Sequence, residues 1–269
     1  MLKKIKSENN NISNFSFAVM GDNRDGDYVL NKIIKSINKN KDIKFALNNG
    51  DLVPDGYKKE FKNYLKLIGE SDKPFISIIG NHEKPWYDGE TNYEHFFGKT
   101  YFSFKFDNTY FIILDDANEK GLSKKQKRWL IKNLKKAQIF QNIFVFMHVP
   151  LYDPRKGNNK KGLYKKGHSL HSTVKAKELN DIFDKYKVTM LFTSHIHMYY
   201  RGVWQQTPFI ITGGAGAPLK KYKHHGFYHY IKVVVHDKNI QYKVIETDAK
   251  PLGLTDEVKQ SIKDTLDLY

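Results

Sequence analysis

Cysteine is absent from this chain of 269 residues. Its absence excludes disulfides, thiolate metal sites and cysteine nucleophiles, so any metal ion has to be held by His, Asp, Glu or Asn. No window approaches the roughly 18 consecutive apolar residues of a membrane span, and the basic start, MLKKIKSENNNISN, lacks the apolar stretch of a signal peptide. The chain therefore reads as soluble and, by default, cytoplasmic, with an exported mature form as the alternative. Neither an internal repeat nor a linker divides it. The expectation is a polar, flexible arm over residues 1–14 followed by one domain over 15–269. Acid is scarce as well: 45 Lys+Arg stand against 29 Asp+Glu, a net charge of +16. Such an excess draws phosphate esters, nucleic acid or acidic membrane surfaces. The rival explanation is a compositional habit spread over a solvated surface, because Lys, Asn and Ile recur throughout.

What is present is a 40% hydrophobic content, enough for a substantial core, arranged as alternating strands and helices. FAVM (17–20), KFALNNGD (44–51), PFISIIGNH (74–82), NIFVFMHVP (142–150) and VTMLFTSHIH (188–197) read as apolar strands that end on polar residues. Helical spacing runs from Tyr28 to Asn38, over 57–69 closed by Gly69, over 122–137 behind a Ser123/Gln126 capping box, over 174–186, and over 255–267. Residues 100–116 and 227–248 read as hairpins turned at Asp107-Asn108 and at Asp237 to Asn239. Helices interspersed with strands and hairpins indicate an α/β protein with mixed sheets.

Five strand ends carry metal-ligand chemistry: Asp22, Asp51, Asn81-His82, His148, and His195-Ile196-His197. Hard oxygen donors mixed with imidazoles and no sulfur suit Mn, Fe, Zn or Co, and one carboxylate can bridge two such ions. His195 and His197 point the same way if their strand continues, or diverge to two ions if the backbone turns. Glu83 reads as structural, a partner for backbone or for a neighbouring base.

In this order the blocks GD (21–22), GD (50–51), GNHE (80–83), MHVP (147–150) and SHIH (194–197) resemble the calcineurin-like metallophosphoesterases over residues 15–215. HIHMYYR and GGAGAPL look like the purple acid phosphatase side of that family. The resemblance implies a four-layer α/β/β/α sandwich of two mixed sheets flanked by helices, with two divalent or trivalent ions at the sheets' carboxyl edge. Asp22, Asp51 and His197 would hold the first ion, and Asp51, Asn81, His148 and His195 the second. His82 would stay free of metal as general acid. The implied reaction is phosphomonoester hydrolysis by a water activated between the ions. A phosphodiesterase or nuclease acting on a polyanion is the alternative within enzymes, and a weakened anion-binding module with one metal site is the alternative outside them.

The sequence departs from the family at two positions. Arg24 stands where many members place a His, so the first ion loses a ligand; its guanidinium either forks onto a phosphate oxygen or pairs with Asp25 or Asp27. Val53 stands where purple acid phosphatases place a tyrosine, so no iron-tyrosinate colour is expected. Residues 153–171, DPRKGNNKKGLYKKGHSLH, carry Arg155, Lys156, Lys160, Lys161, Lys165 and Lys166 and read as a mobile basic loop over the site. His168 in that loop resembles a position that related phosphatases place near the substrate.

Overall fold

The computed structural model describes residues 14–84, 88–157, 167–220 and 224–248. Asn14 opens the first strand; the rest of the expected arm, the lysines at 160, 161, 165 and 166, and the expected helix at 255–267 lie outside the described residues.

Two sheets form the centre. One has five strands in the order β11-β10-β1-β2-β3, built from β1 (Asn14–Met20), β2 (Ile43–Asn48), β3 (Phe75–Ser77), β10 (His229–His236) and β11 (Asn239–Glu246). The other has six, in the order β4-β5-β6-β7-β9-β8, from β4 (Phe102–Phe106), β5 (Thr109–Ile113), β6 (Asn142–Phe146), β7 (Met190–Thr193), β8 (Tyr199–Trp204) and β9 (Thr207–Thr212). Both are mixed: β1, β2 and β3 run parallel while β10 pairs antiparallel with β1, and β5, β6, β7 and β9 run parallel between the antiparallel edges β4 and β8.

Helices α1 (Asp27–Lys39), α2 (Lys58–Ile68) and α3 (Gly89–Phe97) accompany the first sheet, and α4 (Lys124–Ala137) and α5 (Thr173–Lys185) the second. The apolar residues divide into three packed clusters, one for each space between layers. Ile33, Ile34, Ile37, Phe61 and Tyr64 pack against one sheet. Leu130, Leu134, Leu179 and Phe183 pack against the other. Between the sheets lies an aromatic layer in which Phe17 stacks on Phe45 at 5.6 Å and meets Phe111 and Phe144 edge-on. The fold is the expected four-layer α/β/β/α sandwich.

Three local readings need correction. The third strand is only Phe75–Ser77, and residues 81–83 form a short 3-10 turn wound around the Glu83 carboxylate. The strand read through 197 stops at Thr193, because His195 and His197 both take positive φ, 70° and 54°. In the Ser123/Gln126 box only half forms: Ser123 accepts the Gln126 N–H, whereas the Gln126 side chain brackets the backbone of Asp115 through both its polar groups. Helix α3 and strand β8 were not legible from the hydrophobic pattern. No helix among the described residues is long and apolar enough to cross a membrane.

Candidate metal centre and active site

Every expected strand-end residue converges on the edge where the two sheets meet. Asp22, Arg24, Asp51, His195 and His197 all have φ between 46° and 70°. Non-glycine residues rarely adopt this left-handed backbone, and its cost persists where the surroundings overdetermine it. Here each positive φ turns the chain sharply after a strand, so the side chain aims into the cleft between sheets. Gly50, at φ 96°, makes one turn possible: a Cβ there would lie 2.4 Å from His148 Nδ1.

Two groups of three buried side chains each bring ligand atoms within 4.8 Å of one another: Asp22, Asp51 and His197, and Asp51, His148 and His195. Asp51 belongs to both. The bend at Ile196 thus resolves the two readings of the histidine pair, since His195 and His197 part toward different groups. Asn81 joins the second, its Oδ1 lying 3.0 Å from His148 Nε2 and 2.9 Å from His195 Nδ1.

Backbone carbonyls orient the imidazoles. His148 Nδ1–H donates to the Asn49 carbonyl at 2.9 Å and His197 Nδ1–H to the Pro218 carbonyl at 2.9 Å, which turns both Nε2 atoms inward. Glu83 is buried and gathers the N–H groups of Gly80, Asp51, Leu52 and Val53 at 2.6 to 3.1 Å. It ties the second and third strand ends together, as its structural reading anticipated.

The site is electrostatically unbalanced. Burial pushes the Asp22 carboxyl up to about 8, and neither of its oxygens has a hydrogen-bond partner. For Asp51 burial works in the same direction, but His148, with Nε2 3.2 Å from its Oδ1, outweighs it and holds the carboxyl well below its usual range. Burial disfavours the charged His148 too, yet Asp51 and then Asp22 lift it to about 10. Burial, and next His148, depress His195 far below an ordinary histidine; burial takes His197 down to about 4. The Asp22 carboxylate without a donor, with His195 and His197 held neutral close by, forms a donor set that fits a cation. The orphaned oxygens of Asp22 are the most direct sign of that fit.

His82 lies at the rim, its side chain about a quarter exposed. Its Nδ1 meets the Pro54 carbonyl, and its Nε2 lies 3.8 Å from Asp51 Oδ2. Arg24 makes no ion pair with Asp25 or Asp27; its Nε is buried without a hydrogen-bond partner, and its charge helps depress His197. His168 stacks flat on His195 at 4.1 Å, with Nε2 3.1 Å from the His195 carbonyl, so its contact is with a candidate ligand. The basic loop is fastened at its base. Asp153, buried, accepts the Arg155 guanidinium at 2.9 and 2.7 Å and the His168 N–H at 2.8 Å, closing the two ends of the loop on one carboxylate.

Sequence reasoning missed Asp116. It is fully buried, pushed up to about 7 by that burial, and its two oxygens accept the N–H groups of His148 and Val149. The available signal was the Asp115-Asp116 pair immediately after an apolar strand, the same strand-then-carboxylate pattern as Asp22 and Asp51.

Residues 15–199 match the family model described as calcineurin-like phosphoesterase. Over 251 residues the chain is 27% identical to the serine/threonine-protein phosphatase CPPED1 of Rattus norvegicus, covering 86% of this chain and 77% of that one. The Homo sapiens counterpart is 24% identical over 252 residues, with the same coverage. Among solved structures, purple acid phosphatase PPD1 from Lupinus luteus seeds superposes with a TM-score of 0.65 at 16% identity. That likeness covers 87% of this chain and 53% of the plant protein, so the chain spans about half the plant protein's length. At that identity the likeness is one of fold.

Proposed function

The chain belongs to the calcineurin-like phosphoesterase family and is a metallophosphoesterase, and from that premise we propose that it hydrolyses phosphomonoesters at a dinuclear centre. The observation that carries the reading is the sharing of Asp51 between two ligand groups. Asp22, Asp51 and His197 would hold one ion, and Asp51, Asn81, His148 and His195 the other. When bound, a pair of Mn, Fe, Zn or Co ions supplies the charge that activates water at neutral pH and neutralises phosphoryl oxygens.

The remaining steps fall to the protein's own groups. Arg24 offers its guanidinium to a phosphoryl oxygen, an arrangement favoured by its buried Nε and by its having no acidic partner among the described residues. His82 donates Nδ1–H to Pro54, which leaves Nε2 to carry a proton to the departing ester oxygen. His168 acts through His195, holding its ring in place by stacking and through its carbonyl. The CPPED1 relatives are described as serine/threonine-protein phosphatases, which makes phosphorylated serine and threonine the first substrates to try.

Elemental analysis of metal-saturated protein, joined to assays on phosphoserine peptides, phosphodiesters and pyrophosphate, tests the reading. Two ions per chain and fastest turnover of the monoesters are expected. Full turnover with one ion contradicts the dinuclear centre, and faster hydrolysis of diesters contradicts the monoester assignment.

A further inference from the structure

We propose that the outer face of α4 docks the enzyme on an anionic lipid bilayer. Lys124, Lys125, Arg128, Lys132, Lys135 and Lys136 are all exposed. At the helical advance they fall within an arc of about 120° along about 18 Å of helix. The opposite side, with Leu130, Asn133, Leu134 and Ala137, is buried. No Asp or Glu occurs between residues 120 and 152. Lys127, off the stripe, is satisfied by Glu178 of α5 at 2.6 Å, so the cations of the stripe face solvent without an acid on their own helix.

A second observation selects lipid among polyanions. Ile139, at the end of the stripe, is 84% exposed. Its position is set by a pinned turn: Gln138 Nε2 bonds the Leu134 and Tyr186 carbonyls, Phe140 N–H the Ala137 carbonyl, and Gln141 N–H the Asn108 carbonyl. A bare branched side chain held outward beside six cations gains from a headgroup region that takes both charge and apolar groups. The helix's aromatic, Trp129, is half-buried and already engaged with Tyr101 at 5.1 Å, which limits its use as a platform for stacking bases. The stripe lies on the outer helix layer, whereas the candidate metal ligands lie at the edge where the sheets meet.

The test uses the full chain, sedimented with vesicles of phosphatidylcholine alone or containing phosphatidylserine. One variant replaces Lys125, Lys132, Lys135 and Lys136 by Gln. A charge-matched control replaces the exposed Lys58, Lys59, Lys62 and Lys66 of α2, a stretch flanked by Glu60, Glu70 and Asp72. The α4 variant is expected to lose partitioning onto the anionic vesicles by on the order of 10³-fold, the α2 control far less, and both to retain hydrolysis of a soluble ester. Ile139→Ser is expected to lower partitioning at every salt concentration, because its contribution is not screened. Equal losses in the two charge variants, or equal binding to vesicles without phosphatidylserine, overturn the proposal. So does binding of RNA that depends on α4 while the wild-type protein leaves the vesicles unbound.

Discussion

The carboxylate of Asp116 accepts the backbone N–H of His148 at 2.9 Å and, through its other oxygen, that of Val149 at 3.0 Å. It therefore fixes the point at which β6 delivers its histidine to the cleft. Replacing Asp116 by Asn sets an N–H₂ group against one of those two donors. Outer groups that orient a ligand typically account for 10- to 100-fold in metal affinity, so Asp116→Asn is expected to weaken metal binding by about that factor. Metal titration checks it, and an affinity equal to the wild type's would show that the backbone holds His148 unaided.

His82→Ala is expected to slow hydrolysis of esters with poor leaving groups by roughly 10²-fold or more, the usual contribution of a general acid. Activated aryl esters leave without a proton and should suffer much less. Metal content measured beside the rates separates the roles: a drop in bound metal, or equal losses for both ester types, would make His82 a ligand or a structural residue.

Arg24→Ala is expected to raise KM for a phosphate ester and to weaken inhibition by inorganic phosphate, leaving metal content as it was. The site geometry favours this reading over a surface ion pair, since Arg24 engages neither Asp25 nor Asp27. Unaltered KM and unaltered phosphate inhibition would remove Arg24 from the substrate site.

His229 links acid pH to stability. It is fully buried behind Gly214, its Nδ1 2.8 Å from the Phe227 carbonyl and its Nε2 3.2 Å from Thr212 Oγ1, and burial takes it from 6.5 down to about 4. Above pH 6.5 it is neutral in both the folded and unfolded chain and contributes no pH dependence. As pH falls from 6.5 to about 4 the unfolded chain takes up a proton that the folded one refuses, and stability declines by about 3 kcal/mol. His229→Gln should flatten that decline. Denaturant unfolding of both proteins across this range measures the difference, and parallel curves would refute the linkage.

The sequence by itself determined the order of elements and the chemistry at their ends. Five apolar runs closing on Asp, Asn or His were visible because a strand buried on both faces is a continuous apolar run, and its polar terminus interrupts that run abruptly. The same periodicity located α1, α2, α4 and α5 and both hairpin turns, where Asp107 and Asp237 take the positive φ that such turns need. Helix α3 lay beyond this reach because its buried residues are Gly89, Asn92 and Tyr93, of which only Tyr93 is apolar, and the polar Asn92 is held inside by the Gly56 carbonyl.

Only the tertiary structure decided which strand ends meet. That Asp51 belongs to both ligand groups, and that His195 and His197 diverge, depends on the left-handed turn at each residue, which the neighbouring strands impose and no local pattern encodes. The orienting groups are equally non-local: Asn49, Pro54 and Pro218 contribute through carbonyl oxygens, which every residue possesses. A side chain's chemistry is written in its letter, but the direction in which a backbone carbonyl points exists only once the chain has packed.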